Sequence, residues 1–499
     1  MTIDLKNPSI AGFHPDPSVV RVGEDYYVAC STFEYLPGIP VFHSRDLSTW
    51  TLIGHVAERV GQLAVEQVPT GGGAWAPTIR YHDGTFWIAI TDALGRNTML
   101  FSATDPAGPW SDGVPVEGIN GIDPDLAWDE DGTCYMTYSA LRLVGDELGT
   151  HHGIEQVRID PHAAKALEEP RSMWSGTGLM FPEAPHLYQR DGWWYLMIAE
   201  GGTERGHSVS IARSSRPDGP FEGNPANPIL SARSTSRPVQ NTGHGDLVRT
   251  PDGEWVMVLL GMRTTGGTRA FSPMGRETFS THVTWVDGWP TAEPVILTAP
   301  ASGSFEDTFD EAELGGEWIA VRRLPAEVAD LTERPGHLVL HGDGTDMSSS
   351  RPQFVGFRQA HHRMRWAADV DATAGTGGLT LRYDEAHHYD IEVGDGIIVA
   401  RGHLASLQQT WCTPAPAPEA PLTLWIETVP VQFSGFENMG SDTVRLGYDG
   451  PDGPVALAEL DGRYLSAEVT ASFTGRVLGV YARDGLIAVD TVRYDGRDD

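Results

Sequence analysis

The sequence predicts an all-β protein, with a five-bladed β-propeller over residues 1–298 followed by a β-sandwich over 299–499. Two observations carry this expectation. Asp-Gly turns recur along the first half, each followed by a short alternating apolar or aromatic stretch, the mark of antiparallel hairpins. The segments ahead of those turns also align with one another, at intervals of 48 to 61 residues, a period that belongs to propeller blades or other arrays.

The first copy is slightly altered, with Gly23-Glu24-Asp25 running into YYVACS. Asp83-Gly84, Asp131-Gly132, Asp191-Gly192 and Asp252-Gly253 then introduce FWIAI, CYMTYS, WWYLMIAE and EWVMVLL. Further hairpin signals follow in HSRDLSTW (43–50), FSATDPAGPW (101–110) and ARSSRPDGPF (212–221), so each unit reads as a four-stranded blade. The aligned segments ahead of the turns are WAPTIRYHDG, DPDLAWDEDG, EAPHLYQRDG and HGDLVRTPDG, with DPSVVRVGED as the first copy. Trp75, Asp123, Glu183 and His244 each stand nine positions before a turn glycine, and Asp16 takes the matching place one residue out of step. Innermost strands line a propeller's central cavity, so the repeat puts these residues around one ring.

After Trp285 the repeat stops. Asp287 to Gly303, rich in Pro, Ala and Gly, reads as a linker. Beyond it HLVLHG, RMRWAADVDA, GLTLRY, YDIEVG, LTLWIET, TVRLGY and RVLGVYA alternate as sandwich strands, and Ala415 to Pro421 reads as an exposed loop.

The formal charge of −33 excludes a nucleic-acid partner, which needs a basic footprint. Cys30, Cys134 and Cys412 lack metal-ligand spacing and read as small buried hydrophobes. No apolar run reaches membrane-spanning length and no leader is visible, so the sequence-based expectation is a cytoplasmic chain. The composition fits a neutral substrate and leaves homo-oligomerisation open.

A ring of three carboxylates without a thiol, serine triad or metal cage points to acid–base chemistry. Inverting cleavage of a glycosidic bond needs one carboxylic acid to protonate the leaving oxygen and one carboxylate to activate water on the opposite face. A third carboxylate raises the pKa of the acid by like-charge repulsion. Trp75 offers an apolar platform for a sugar face. Each residue also has a plainer reading: Asp16 and Asp123 suit turns, Asp125 rivals Asp123, Glu183 suits a loop, His244 a structural histidine and Trp75 the core. Repeat-equivalent residues that differ in type from blade to blade share no common packing role, which favours the functional reading.

The motifs NPSIAGFHPDPSVVRVGEDYYVACSTFEYLPGIPVFHSRDL (7–47), WAP (75–77), GIDPDLAWDEDG (121–132), PEAPHLYQRDGWWYLMIAEGGT (182–203) and GRETF (275–279) together resemble glycoside hydrolase family 43. The likeness is to its two-domain β-xylosidase and α-L-arabinofuranosidase members. RQAHH (358–362), EAHHYD (385–390) and FTGRVLGVYA (473–482) resemble that group's sandwich, so nearly the whole chain is covered. The resemblance implies Asp16 as general base, Asp123 as pKa modulator and Glu183 as general acid. It implies Arg276 as a sugar-hydroxyl contact and Phe33 and Trp75 as pocket walls. His207 is expected near the funnel as a further substrate contact. His244 is expected beneath the site beside a structural calcium ion held through water, with no cofactor needed for the chemistry. A second-domain loop is implied to close the pocket, and QFSGFENMGSDTVRL (432–446) departs from the pattern expected there.

The leading expectation is an inverting exo-glycosidase that releases terminal xylose from β-1,4-xylo-oligosaccharides. The alternatives are an α-L-arabinofuranosidase acting on arabinose-decorated oligosaccharides and a non-catalytic carbohydrate-binding propeller. A retaining fructosidase-type propeller lacks support, because its Asn-Asp-Pro-Asn and Arg-Asp-Pro motifs are absent.

Overall fold

The computed structural model describes residues 3–266, 270–298, 302–416, 421–431 and 439–498. Five antiparallel sheets follow one another along the chain and form the propeller. Their inner strands are Ser18–Val22, Thr78–His82, Ile122–Trp128, Glu183–Arg190 and Val239–Arg249. The Asp-Gly turns sit where the sequence places them. At Asp83-Gly84 and Asp191-Gly192 both residues have positive φ, the primed geometry whose twist suits a two-residue hairpin.

The predicted linker begins too early. Asp287-Gly288 is another such turn, with φ of 51° and 76°, and Trp289–Ala292 pairs with Glu277–Val286 as the outer strand of the fifth blade. The N-terminal segment helps close the ring: the Asn7 side-chain amide donates to Ser280 O, while Ser280 N donates to Asn7 Oδ1.

A buried guanidinium on the inner strand of the second blade ties all five blades together. Arg80 donates to Asp246 at 2.8 Å, to His186 Nδ1 at 2.9 Å and to Ser18 Oγ at 3.2 Å, and forms an ion pair with Asp125 at 2.7 Å. Asp125 is therefore committed to this hub, which removes it as a rival to Asp123. Two fully buried carboxylates thus share one guanidinium, whose charge offsets part of the cost of burying them.

The sandwich is built on two long strands, Arg363–Asp384 and Val477–Arg497, which pair with each other and bend between its layers. The two halves of Arg363–Asp384 have different neighbours. Its first half pairs with Leu422–Pro430 in one layer, and its second half pairs with His387–Gly394 in the other. The sequence reads RMRWAADVDA and GLTLRY as separate strands, whereas the structure runs them together. Bulges fall between Asp371 and Ala374 and between Thr376 and Gly377, where the glycines leave room for the partner backbone. Trp318, Trp366, Leu381, Ile391, Leu424 and Leu478 fill the core between layers.

Cys30 and Cys134 are buried as expected, but Cys412 is exposed on the strand Leu407–Pro414, whose side chains face solvent for much of its length. Of the predicted loop Ala415 to Pro421, residues 417–420 lie outside the described residues, as do residues 432–438 of the divergent segment. Among the described residues no helix is long and apolar enough to cross a membrane.

Candidate active site

Irregularities at the starts of the inner strands aim the ring residues. Asp16, Asp123 and His244 have φ of 56°, 53° and 48°, and Ala184, next to Glu183, has 49°. Strand register shifts between Ile122 and Asp125, between Glu183 and His186, and on both sides of Gly243. Left-handed non-glycine residues at bulges carry strain, and such strain concentrates where a side chain must be re-aimed.

The result is one pocket of about 400 Å³, including its open mouth. Asp16, Asp123, Glu183, Trp75, Phe33, His244 and Arg276 all line it, together with Thr203 and Phe473. Asp16 is held by two donors, Ser31 Oγ at 2.5 Å and Arg276 Nη1 at 2.6 Å. Arg276 also bonds Thr203 Oγ1 at 3.3 Å and the carbonyl of Phe473 at 3.2 Å. Its Nε is buried without a protein hydrogen-bond partner.

The other two carboxyls are set differently. Asp123 accepts the Ala184 N–H at 3.0 Å, and burial, reinforced by the charge of Asp16, pushes its pKa from 3.8 to about 7. Burial, followed by the charges of Asp123 and Asp16, raises Glu183 well above the ordinary carboxylate range. The pocket therefore favours the protonated form of Glu183.

These shifts also cost stability. Asp123 and Glu183 bind protons more tightly in the folded protein than in the unfolded chain, so stability falls as pH rises from about 4 towards 7 and above. Asp123→Asn removes one of the buried charges and keeps an oxygen for the Ala184 N–H. Thermal unfolding is expected to show a larger gain in Tm from this substitution at pH 8 than at pH 5; an equal gain at both would contradict the assignment.

His244 is neutral, its pKa lowered to about 4 chiefly by burial, with Nδ1 3.7 Å from Asp16 Oδ1. Among the described residues no group of three or more His, Cys, Asp or Glu side chains has metal-binding spacing. The oxygen-rich cage that calcium prefers is thus not provided by these side chains, and the nearest carboxylate is already bonded to Arg276.

His207 does not line the pocket. Its fully buried ring fills the space over Gly243, where a Cβ would come within 2.0 Å of it, and burial lowers its pKa to about 3.

The residue that sequence reasoning missed is Phe473, from the sandwich. Its ring stacks on Phe33 at 5.8 Å and meets Trp75 edge-on at 6.1 Å. Arg276 lies 5.5 Å from the Phe33 ring and 5.4 Å from that of Phe473. The closing wall therefore comes from the turn before Val477–Arg497, at the head of the FTGRVLGVYA segment. Thr203 and Ser31 were also missed; both sit in quoted motifs but carry no signal of their own.

This arrangement can protonate a leaving oxygen from Glu183, orient a polar ring through Arg276 and enclose it with three aromatic side chains. Residues 5–290 match the model of glycosyl hydrolases family 43, and residues 306–492 match the β-xylosidase C-terminal concanavalin A-like domain. A non-reducing end α-L-arabinofuranosidase of Bacteroides ovatus is 35% identical, over 96% of this chain and 91% of its own length. A β-xylosidase of Bacillus subtilis is 33% identical, over 71% of this chain and 72% of its own. The crystal structure of a xylan β-1,4-xylosidase from Bacillus halodurans superposes with a TM-score of 0.87 at 29% identity, covering 98% of this chain and all of that one. The chain belongs to glycosyl hydrolase family 43 and is a two-domain glycoside hydrolase of the β-xylosidase and arabinofuranosidase type.

Proposed function

We propose that this enzyme removes terminal xylose from β-1,4-xylo-oligosaccharides with inversion, using Glu183 as general acid, Asp16 as general base and Asp123 to hold the proton on Glu183. The observation that carries the reading is one small pocket holding three carboxylates in different electrostatic settings. Glu183 gives its proton to the glycosidic oxygen as the bond from that oxygen to C1 breaks. Asp16 takes a proton from the water whose oxygen bonds C1 on the opposite face, and exchange with solvent resets both groups. Asp123 adds negative charge beside Glu183, and Arg276 and the aromatic walls hold the sugar.

The similarity to a named arabinofuranosidase supports a second activity on terminal α-L-arabinofuranose. Matched kinetics on nitrophenyl β-D-xyloside and nitrophenyl α-L-arabinofuranoside test the order: kcat/KM is expected to favour the xyloside. A preference for the arabinoside reverses the reading, and binding of sugars without turnover of either substrate rejects catalysis.

The wall from the second domain gives a further expectation. Phe473→Ala opens the pocket and removes aromatic contact, so KM for the xyloside should rise about tenfold, worth ~1.4 kcal/mol, with a smaller change in kcat. An unchanged KM would show that Phe473 does not enclose substrate.

A further inference from the structure

Between Val68 and Trp75 the chain passes from the first blade to the second and enters the domain interface, gripped from both sides. From the sandwich, Arg322 donates to Val68 O at 2.8 Å and to Thr70 Oγ1 at 3.3 Å, and Thr70 Oγ1 donates to Glu385. From the propeller, Glu34 Oε2 accepts the Gly71 N–H at 3.1 Å. The carbonyl of the same Gly71 accepts the indole N–H of Trp75 at 2.6 Å. Gly71 has φ of +79°, and a Cβ there would stand 3.4 Å from the Phe473 ring, so this peptide runs directly behind the closing wall. Phe33, adjacent to Glu34, exchanges backbone hydrogen bonds with Ala74, adjacent to Trp75.

Glu34 is fully buried, and its Oε1 has no hydrogen-bond partner. A buried carboxyl is a costly way to secure a loop, because one unsatisfied oxygen carries a desolvation penalty. Arg382 and Arg322 of the sandwich supply compensating positive charge, and Arg382 also donates to Tyr35, next to Glu34, at 2.6 Å. The carboxyl thus lies where the sandwich cations, the interface loop and the pocket wall meet, while remaining outside the pocket lining.

We infer that Glu34 is a positioning residue for sugar binding: through the Gly71 peptide it fixes the Trp75 indole in the wall. The sandwich, by gripping the same loop, then shapes the pocket from behind as well as closing it with Phe473. This rests on the proposal that the pocket is the sugar site.

A double-mutant cycle tests it, with Glu34→Ala made in the wild-type and Trp75→Ala backgrounds. D-Xylose affinity by calorimetry and kcat/KM on the nitrophenyl xyloside are both measured, and folding is checked by circular dichroism. Glu34→Ala in the wild-type background is expected to weaken xylose binding and raise KM about tenfold, with kcat changed less than threefold. Glu34→Gln, whose amide oxygen can still accept from Gly71, should remain within threefold of wild type. In the Trp75→Ala background Glu34→Ala should cost less than twofold. A full tenfold loss there, or no loss in the wild-type background, overturns the inference. If Glu34→Ala does not fold, Glu34→Asp, too short by one methylene to reach Gly71, carries the same cycle and the same two outcomes. An inactive wild type that binds xylose would reject the proposed hydrolysis while the binding cycle still decides the role of Glu34.

Discussion

Glu183→Ala is expected to lower kcat/KM on xylobiose by about 10³-fold, within the range assigned to general acid catalysis, while costing a dinitrophenyl β-xyloside far less. The difference lies in the leaving group. A sugar alkoxide departs only with a proton, whereas dinitrophenolate is stable as an anion. Burial and two neighbouring carboxylates favour the protonated form of Glu183, so its ionisation should set the fall in kcat/KM on the alkaline side. On the activated substrate Glu183→Ala should therefore flatten that limb of the pH profile. Steady-state rates on the two substrates check both points. Equal losses on both would assign the proton to another group.

Asp16→Ala should behave differently, losing about 10³- to 10⁴-fold on both substrates alike, because water must be activated whatever the leaving group. Loss of the carboxylate also frees Arg276 from its 2.6 Å bond and leaves Ser31 Oγ without its acceptor, so the alanine variant mixes chemistry with rearrangement. Asp16→Asn separates the two. It keeps an oxygen and the side-chain shape but is a far weaker base, and its loss should match that of alanine while xylose binding is retained. Normal turnover by Asp16→Asn would remove Asp16 from the base role.

The propeller is legible because its turns repeat a chemical requirement. Asp-Gly satisfies positive φ in a two-residue hairpin, and the same solution recurs blade after blade. Outer strands such as Trp289–Ala292 are short and irregular, so composition alone makes one of them look like linker. The continuous strand Arg363–Asp384 reads as two because Ala-Gly-Thr-Gly resembles a break, although in the structure it is a pair of bulges. Spacing finds the ring residues but not their left-handed backbones, since these arise from how the strands meet the pocket. Phe473 stands 197 residues from Arg276 in the chain, and its position is set only by domain packing. His207 is drawn towards the site by its motif. The structure shows a packing role over Gly243, which sequence spacing does not distinguish from a contact with sugar.

The stereochemical course tests the central assignment most directly. Hydrolysis of nitrophenyl β-D-xyloside followed by proton NMR, before mutarotation proceeds, should show α-xylose as the first product, the result of single displacement by water on the face opposite the leaving group. If β-xylose accumulates first, the reaction passes through a covalent intermediate with retention, and Asp16 is not the base that activates water for direct displacement.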